Sequence, residues 1–145
     1  MIFLEQEVLY APLKRSQMPA VISLLQGISQ FAPDPDNYDE IWINHSLQEN
    51  VTSIVAHHAN GLVLGFATLV LETKIRGGKI GHIEDIVTHH EHRGIGVGRS
   101  LVHKLVQIAR LEGCYKVALH CKDHNILFYE KSGFEVSGSA MQRLL

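Results

Sequence analysis

Apolar and polar positions along the chain change period twice. Residues 2–10 (IFLEQEVLY) read as a first strand. From Ser16 to about Gln30, Met18, Val21, Ile22, Leu24, Leu25 and Ile28 recur at near-helical spacing, which predicts a helix capped by Ser16. Phe31 to Asn37 holds two prolines in three residues, so it is a loop, and a weaker helix is expected over Tyr38 to Glu49. The period then shortens to that of strands. Thr52 to His58 and Leu62 to Lys74 flank Asn60-Gly61, a hairpin dipeptide, and Lys79 to Thr88 follows Gly77-Gly78. These three segments predict an antiparallel meander. Beyond them, Leu101, Val102, Leu105, Val106, Ile108, Ala109 and Leu111 mark a wide helical stripe that stops at Gly113. Tyr115 to His120 reads as a buried strand, Asn125 to Lys131 as a short helix and Phe134 to Leu145 as a last strand. The order β-α-α-β-β-β-α-β-α-β predicts one mixed α/β domain over residues 1–145, with a glycine turn at its middle.

Composition narrows the function classes. At 145 residues and 46% apolar content, the chain can bury a core without cross-links. A net charge of −2 argues against a dedicated nucleic-acid binder or a polybasic membrane module, and the apolar runs fall far short of a bilayer span. Cys114 and Cys121 are too few for a disulfide scaffold or an all-cysteine zinc site, and are expected to be reduced packing residues. Met1 to Tyr10 carries Glu5 and Glu7 without a basic stretch, so no secretory signal and a cytoplasmic location are expected.

The chemistry concentrates at Arg93-Gly94-Ile95-Gly96-Val97-Gly98-Arg99, between a strand and a helix. Glycines let consecutive amides turn into one hollow, and the helix end adds its unpaired N–H groups and positive pole. Arg93 and Arg99 add charge at the rim. The product is an anion cradle suited to a phosphate or pyrophosphate. A Walker loop would need lysine where Arg99 stands, and a dinucleotide fold would place the glycines after the first strand of a parallel unit.

A third option fits. Arg93 to Gly98 resembles the Q/R-x-x-G-x-G/A turn of the GNAT acetyltransferases, which binds the pyrophosphate of acetyl-CoA. Gly81-His82-Ile83-Glu84-Asp85-Ile86-Val87 resembles the GHIEDVVV strand of the glucosamine 6-phosphate N-acetyltransferases. Gly113-Cys114-Tyr115-Lys116-Val117 and Asn125-Ile126-Leu127-Phe128-Tyr129-Glu130-Lys131-Ser132-Gly133-Phe134 are similar to two further blocks of that family, in the same order. Earlier residues match only through Leu24 to Ser29. The resemblance implies a GNAT fold: a mixed, mostly antiparallel central sheet flanked by helices.

It also implies direct transfer of an acetyl group from acetyl-CoA to a primary amine, here D-glucosamine 6-phosphate, on the route to UDP-N-acetylglucosamine. Backbone groups of Ile86, Val87 and Thr88 would pair with the pantetheine arm beside a bulge that opens the sheet, and Asn125 would also contact the cofactor. Tyr129 would donate a proton to the leaving sulfur. Glu84 and Asp85 would contact the sugar amine and hydroxyls, although neighbours on a regular strand point to opposite faces unless a bulge intervenes. His120 stands where relatives carry a carboxylate. It is open whether it acts as the base, binds substrate phosphate as a cation, or marks a different substrate. Ser29, Lys74, Arg76, Tyr115, Lys116 and Arg143 are the remaining substrate candidates. An intertwined homodimer is implied, with no nucleic acid or membrane partner. Another amine acceptor, or a non-catalytic acyl-CoA-binding module, are the alternative readings.

Histidine is abundant, with 10 residues. His57-His58 and His89-His90-Glu91-His92 invite a metal reading. Four consecutive residues of a loop cannot all reach one ion without strain, and acetyl transfer needs no metal, so exposed loop histidines and no metal site are expected.

Overall fold

The alternating segments pair into one five-stranded sheet in a computed structural model that describes residues 7–29 and 31–145. The strands are β1 (Val8–Pro12), β2 (Val51–His58), β3 (Val63–Thr73), β4 (Lys79–Thr88) and β5 (Cys114–Leu119), adjacent in that order. β1 to β4 form an antiparallel meander, and β5 lies parallel to β4 after a helical crossover. The start of the expected first strand, residues 2–6, lies outside the described residues.

The crossover is α3 (Val97–Leu111), whose buried Leu101, Val102, Leu105 and Ala109 pack on Ile54, Ala56, Ala67, Leu69 and Ile83. Each buried leucine contributes about 1.5–3 kcal/mol. Two glycines let α3 lie close to the sheet. A Cβ on Gly81 would stand 3.0 Å from Leu69 Cδ1 and 3.3 Å from Ala109 Cβ. One on Gly65 would stand 2.9 Å from Val97 Cγ1 and 3.1 Å from the Val87 carbonyl oxygen, so the bare backbone of β3 lets the first turn of α3 settle onto the strand.

On the opposite face, α1 (Met18–Leu25) lays Val21 against Val55, Val63, Phe66 and Val87. Its start is set by Pro19 in the first turn, and Ser16 sits in a preceding 3-10 turn, Arg15–Gln17, without capping the helix. The helix ends at Leu25, short of Gln30, because the chain tightens into i→i+3 bonds from Gln26, Gly27 and Ile28. α2 (Tyr38–Ser46) likewise stops before Glu49. A 3-10 turn, Asp123–Asn125, leads into α4 (Ile126–Glu130).

The strand expected over Phe134 to Leu145 does not form; these residues belong to no helix or strand. A strand needs a ladder for its amides, and apolar residues alone do not supply one. Val136, Met141, Leu144 and Leu145 stay exposed there, while β5 is an edge strand.

Candidate active site

Register decides where the site opens. Thr68 of β3 pairs with Glu84, and Phe66 pairs with Val87, so Asp85 and Ile86 together oppose the single residue Ala67. This is a β-bulge, and it is bent at Asp85, which takes φ 54° without being glycine. Beyond it the strand changes phase: Ile86 packs with the α3 cluster and Val87 with the α1 cluster. The β4–β5 ladder ends at Ile83–Leu119, one residue before Glu84. From Glu84 to Thr88, β4 therefore keeps β3 on one side and, among the described residues, has no strand on the other. β5 stops at Leu119 while β4 runs on to Thr88, so the β4 edge beyond Ile83 is the wall of a slot and carries main-chain N–H and C=O groups outside the β4–β5 ladder, a template for an extended amide-containing ligand.

The glycine turn lies at the end of this wall. Gly94 and Gly96 adopt φ +85° and +86°, and a Cβ at either would meet nothing within 4 Å, so their dihedrals alone demand glycine. The Gly96 carbonyl accepts the Ser100 N–H at 3.0 Å, leaving the amides of Val97, Gly98 and Arg99 without intrahelical acceptors. The first turn of α3 contains no acidic residue to occupy its positive end. A Cβ on Gly98 would lie 3.4 Å from both Thr88 Cγ2 and Phe128 Cζ, so the helix start touches the end of β4 and the beginning of α4 at once. Arg93, Ile95 and Arg99 are exposed around the turn.

Tyr129 of α4 is half-buried. Its ring stands edge-on to Phe128 at 4.9 Å and to Phe134 at 6.0 Å, and packs against the α3 cluster. Burial raises its pKa above the ordinary tyrosine value, with a smaller contribution from the Cys121 thiol. The phenol therefore holds its proton at neutral pH. Asn125 precedes α4 and is exposed, and its side chain makes no capping bond, which leaves the amide free for a ligand. His120 is exposed just beyond β5, and Glu84 and Asp85 are exposed on β4. Cys114 is partly buried against the core, as expected, but Cys121 is an exposed free thiol rather than a packing residue.

The cationic candidates gather elsewhere. The Arg76 guanidinium donates to the Tyr115 hydroxyl at 2.9 Å, the Lys116 ammonium lies 5.8 Å from the Tyr115 ring, and Lys74 pairs with Glu72 at 2.8 Å. Gly78 makes room for that ring: a Cβ there would stand 2.9 Å from Tyr115 Cε1. The Arg76 bond lowers the Tyr115 pKa. Lys116 is level with Ile80, four residues before Glu84, or about 13 Å along the strand. Within one chain Lys74, Tyr115 and Lys116 thus sit at the hairpin end of the sheet, away from His120 and the glycine turn. Arg143 lies in the exposed tail, and Ser29 accepts the Phe31 N–H at 3.1 Å in the loop after α1.

Sequence reasoning missed His82. It pairs with Glu72 at 2.9 Å and shares a face with Glu84, two residues on, lining a groove with Asn50 and Val70. Period-two counting from Glu84 would have found it. The bonds from Lys74 and His82 hold the Glu72 carboxyl below the usual range.

Comparison with known proteins gives this geometry a family. A sequence model of the Acetyltransferase (GNAT) family matches residues 18–134. A glucosamine 6-phosphate N-acetyltransferase of Trypanosoma brucei brucei is 40% identical over 94 residues, 63% of this chain and 64% of that protein, so the match spans less than two thirds of the relative. One from Candida albicans is 36% identical over 110 residues, 73% of each chain. Among solved structures, a Trypanosoma brucei acetyltransferase superposes with TM-score 0.88 at 30% identity, covering 96% of this chain and 100% of that one. The glucosamine-6-phosphate N-acetyltransferase of Arabidopsis thaliana gives TM-score 0.88 at 26% identity, covering 96% and 99%. The family match runs from the start of α1 past the end of α4, over the slot and the glycine turn alike, and the chain belongs to the GNAT family of acetyltransferases.

Proposed function

We propose that the protein is an acetyl-CoA-dependent N-acetyltransferase whose acceptor is D-glucosamine 6-phosphate. The observation that carries this reading is the bulge at Asp85, just past the end of the β4–β5 ladder on the strand whose last residue, Thr88, lies against Gly98 of the glycine turn. The residues fit the cofactor. Three unmatched amides and two exposed arginines suit a pyrophosphate, and the unpaired edge of Glu84–Thr88 suits the amide-rich pantetheine arm. When bound, acetyl-CoA supplies a thioester whose acyl group passes to the acceptor nitrogen with release of the thiolate.

The chain's own groups supply the rest. Tyr129 keeps a proton to give to the leaving sulfur, a role commonly worth 10²–10⁴-fold. A bulge amide, freed from the ladder, is available to a developing oxyanion, where one such donor is worth about 3 kcal/mol. Glu84 and Asp85 on one side and His120 on the other offer polar groups to the amine and sugar, with His120 as the base that takes the amine proton. The acceptor's identity rests on the similarity to glucosamine 6-phosphate N-acetyltransferases and on the blocks from Gly81 to Phe134. The hairpin cations lie too far along the sheet to serve the slot of their own chain. They serve the phosphate in an acceptor site shared with a second copy, in a homodimer built on the open β5 edge and the exposed tail.

The test is a panel of amines with acetyl-CoA and a thiol readout. Glucosamine 6-phosphate should exceed glucosamine, polyamines and aminoglycosides in kcat/KM. A flat panel with intact CoA binding would leave a binding module instead. His120→Ala should lower kcat and remove one limb of the pH–rate profile, and near-normal rates with an unchanged profile would remove His120 from the chemistry. Light scattering should give a dimer that weakens on deletion of the tail after Gly133.

A further inference from the structure

Taken as an irregular loop, His89-His90-Glu91-His92 cannot converge on one ion. The structure changes that premise, because His90–His92 is one turn of 3-10 helix with His89 at its N-cap. In this winding, side chains three residues apart eclipse. His89 and His92 accordingly meet on one side, with ring centroids 5.0 Å apart at 72°. One ligand atom each from His89, Glu91 and His92 lies within 4.8 Å of the others. His90 takes no part in this grouping: its ring stacks on His89 at 5.0 Å and 13°, with Nε2 3.7 Å from Glu91 Oε1.

We propose that His89, Glu91 and His92 bind one divalent transition-metal ion of the zinc class. Two imidazoles and a carboxylate form a borderline donor set that suits zinc, cobalt or nickel and not magnesium, which wants an all-oxygen shell. The platform is anchored. The His89 N–H donates to the Leu64 carbonyl of β3 at 2.7 Å, and the His92 N–H donates to the His89 carbonyl at 2.9 Å. His58, buried at the end of β2, sets its ring edge-on to His92 at 6.0 Å and 83°. Its own Nδ1 lies 3.3 Å from the Glu7 carbonyl oxygen, so His58 braces the site without ligating. One contact competes. The Glu91 N–H donates to His89 Nδ1 at 3.2 Å, and ligation at either ring nitrogen ends that bond, since binding through Nε2 moves the proton to Nδ1. Glu91 is exposed and the two histidines half-buried, so the ion keeps water in its shell. Such an ion takes no part in acyl transfer. It fixes the main chain that runs directly into Arg93 and the glycine turn.

The test uses tag-free, full-length protein stripped with a chelator and dialysed against zinc chloride, with magnesium chloride as the contrast. One zinc per chain should bind, and magnesium should not. Cobalt substitution should give the strong visible absorption of a four- or five-coordinate site. Glu91→Gln and His92→Ala should each weaken zinc binding about tenfold or more, whereas His103→Ala, on the exposed side of α3, should not. Glu91→Gln is a conservative change at an exposed position, so the test survives if His92→Ala fails to fold. Zinc affinity unchanged by both substitutions, equal loss on His103→Ala, a weak octahedral cobalt spectrum, or absence of binding would each overturn the proposal.

Discussion

The first half of β4, Lys79–Ile83, and its second half, Glu84–Thr88, differ in what completes their backbone. Lys79–Ile83 is paired on both sides, and Gly81 draws α3 down onto it. Glu84–Thr88 keeps one neighbour, bends at Asp85 and ends against the glycine turn. The packed half leaves no main-chain group for a ligand, so it serves stability. The open half exposes its peptide edge where α3 brings its unpaired amides. A sheet makes a binding site here by withholding a partner strand, with few side chains committed to the task.

Four experiments press on that contrast. The largest effect is expected at the open half. Tyr129→Phe should lower kcat by about 10²-fold while CoA affinity holds, by steady-state kinetics and calorimetry. An unchanged kcat would reduce Tyr129 to a packing residue. Next, Gly65→Ala should cost about 1–3 kcal/mol in urea unfolding and also weaken CoA binding, because its Cβ would push on Val97 and the Val87 carbonyl. Gly81→Ala should destabilise without touching CoA affinity, since Leu69 and Ala109 belong to the packed half. Equal losses of CoA affinity in the two variants would erase the distinction.

Gly96→Ala is a smaller perturbation. A Cβ there meets nothing, so the cost is about 1–2 kcal/mol of left-handed strain, and CoA binding should weaken by about tenfold. The smallest effect is on pH dependence, and it differs in sign between the two regions. Tyr129 has a raised folded pKa, so its contribution to stability is complete below about 10 and disappears as pH rises through the higher folded value. Glu72 has a lowered folded pKa, so its contribution is present above about 4.5 and disappears as pH falls through the lower folded value. Thermal melts against pH should lose the alkaline step in Tyr129→Phe and the acid step in Glu72→Gln.

Much of this was legible in the chain. Lys79 to Thr88 was bounded correctly because Gly77-Gly78 precedes it and alternation fills it. The glycine turn was legible because Gly94 and Gly96 have no steric reason to be glycine and a strong dihedral one. Alternation did not place the bulge, since Glu84-Asp85 reads as a regular pair until Ala67 is seen opposite two residues. The position of the cations was not legible, because it is the parallel register of β5 that sets Lys116 beside Ile80 and away from Glu84. The tail from Phe134 carried the residues of a strand without a ladder to join. The histidine turn reads as an irregular loop in the sequence, because the 3-10 winding that brings His89 over His92 is invisible in composition.

The extra residue at Asp85 sets a rule for insertions and deletions. Upstream of it, Ile83 faces α3; downstream, Val87 faces α1, four positions later where strict alternation would return it to α3. Removing one residue between Glu84 and Ile86 would set Ile86 alone opposite Ala67 and restore regular alternation, with Ile86 and Val87 in the layers they already serve. A one-codon deletion at this point would therefore remove the bend while the following loop keeps its side of the sheet, whereas the same deletion between Lys79 and Ile83 would carry one flank of the cut to the opposite face.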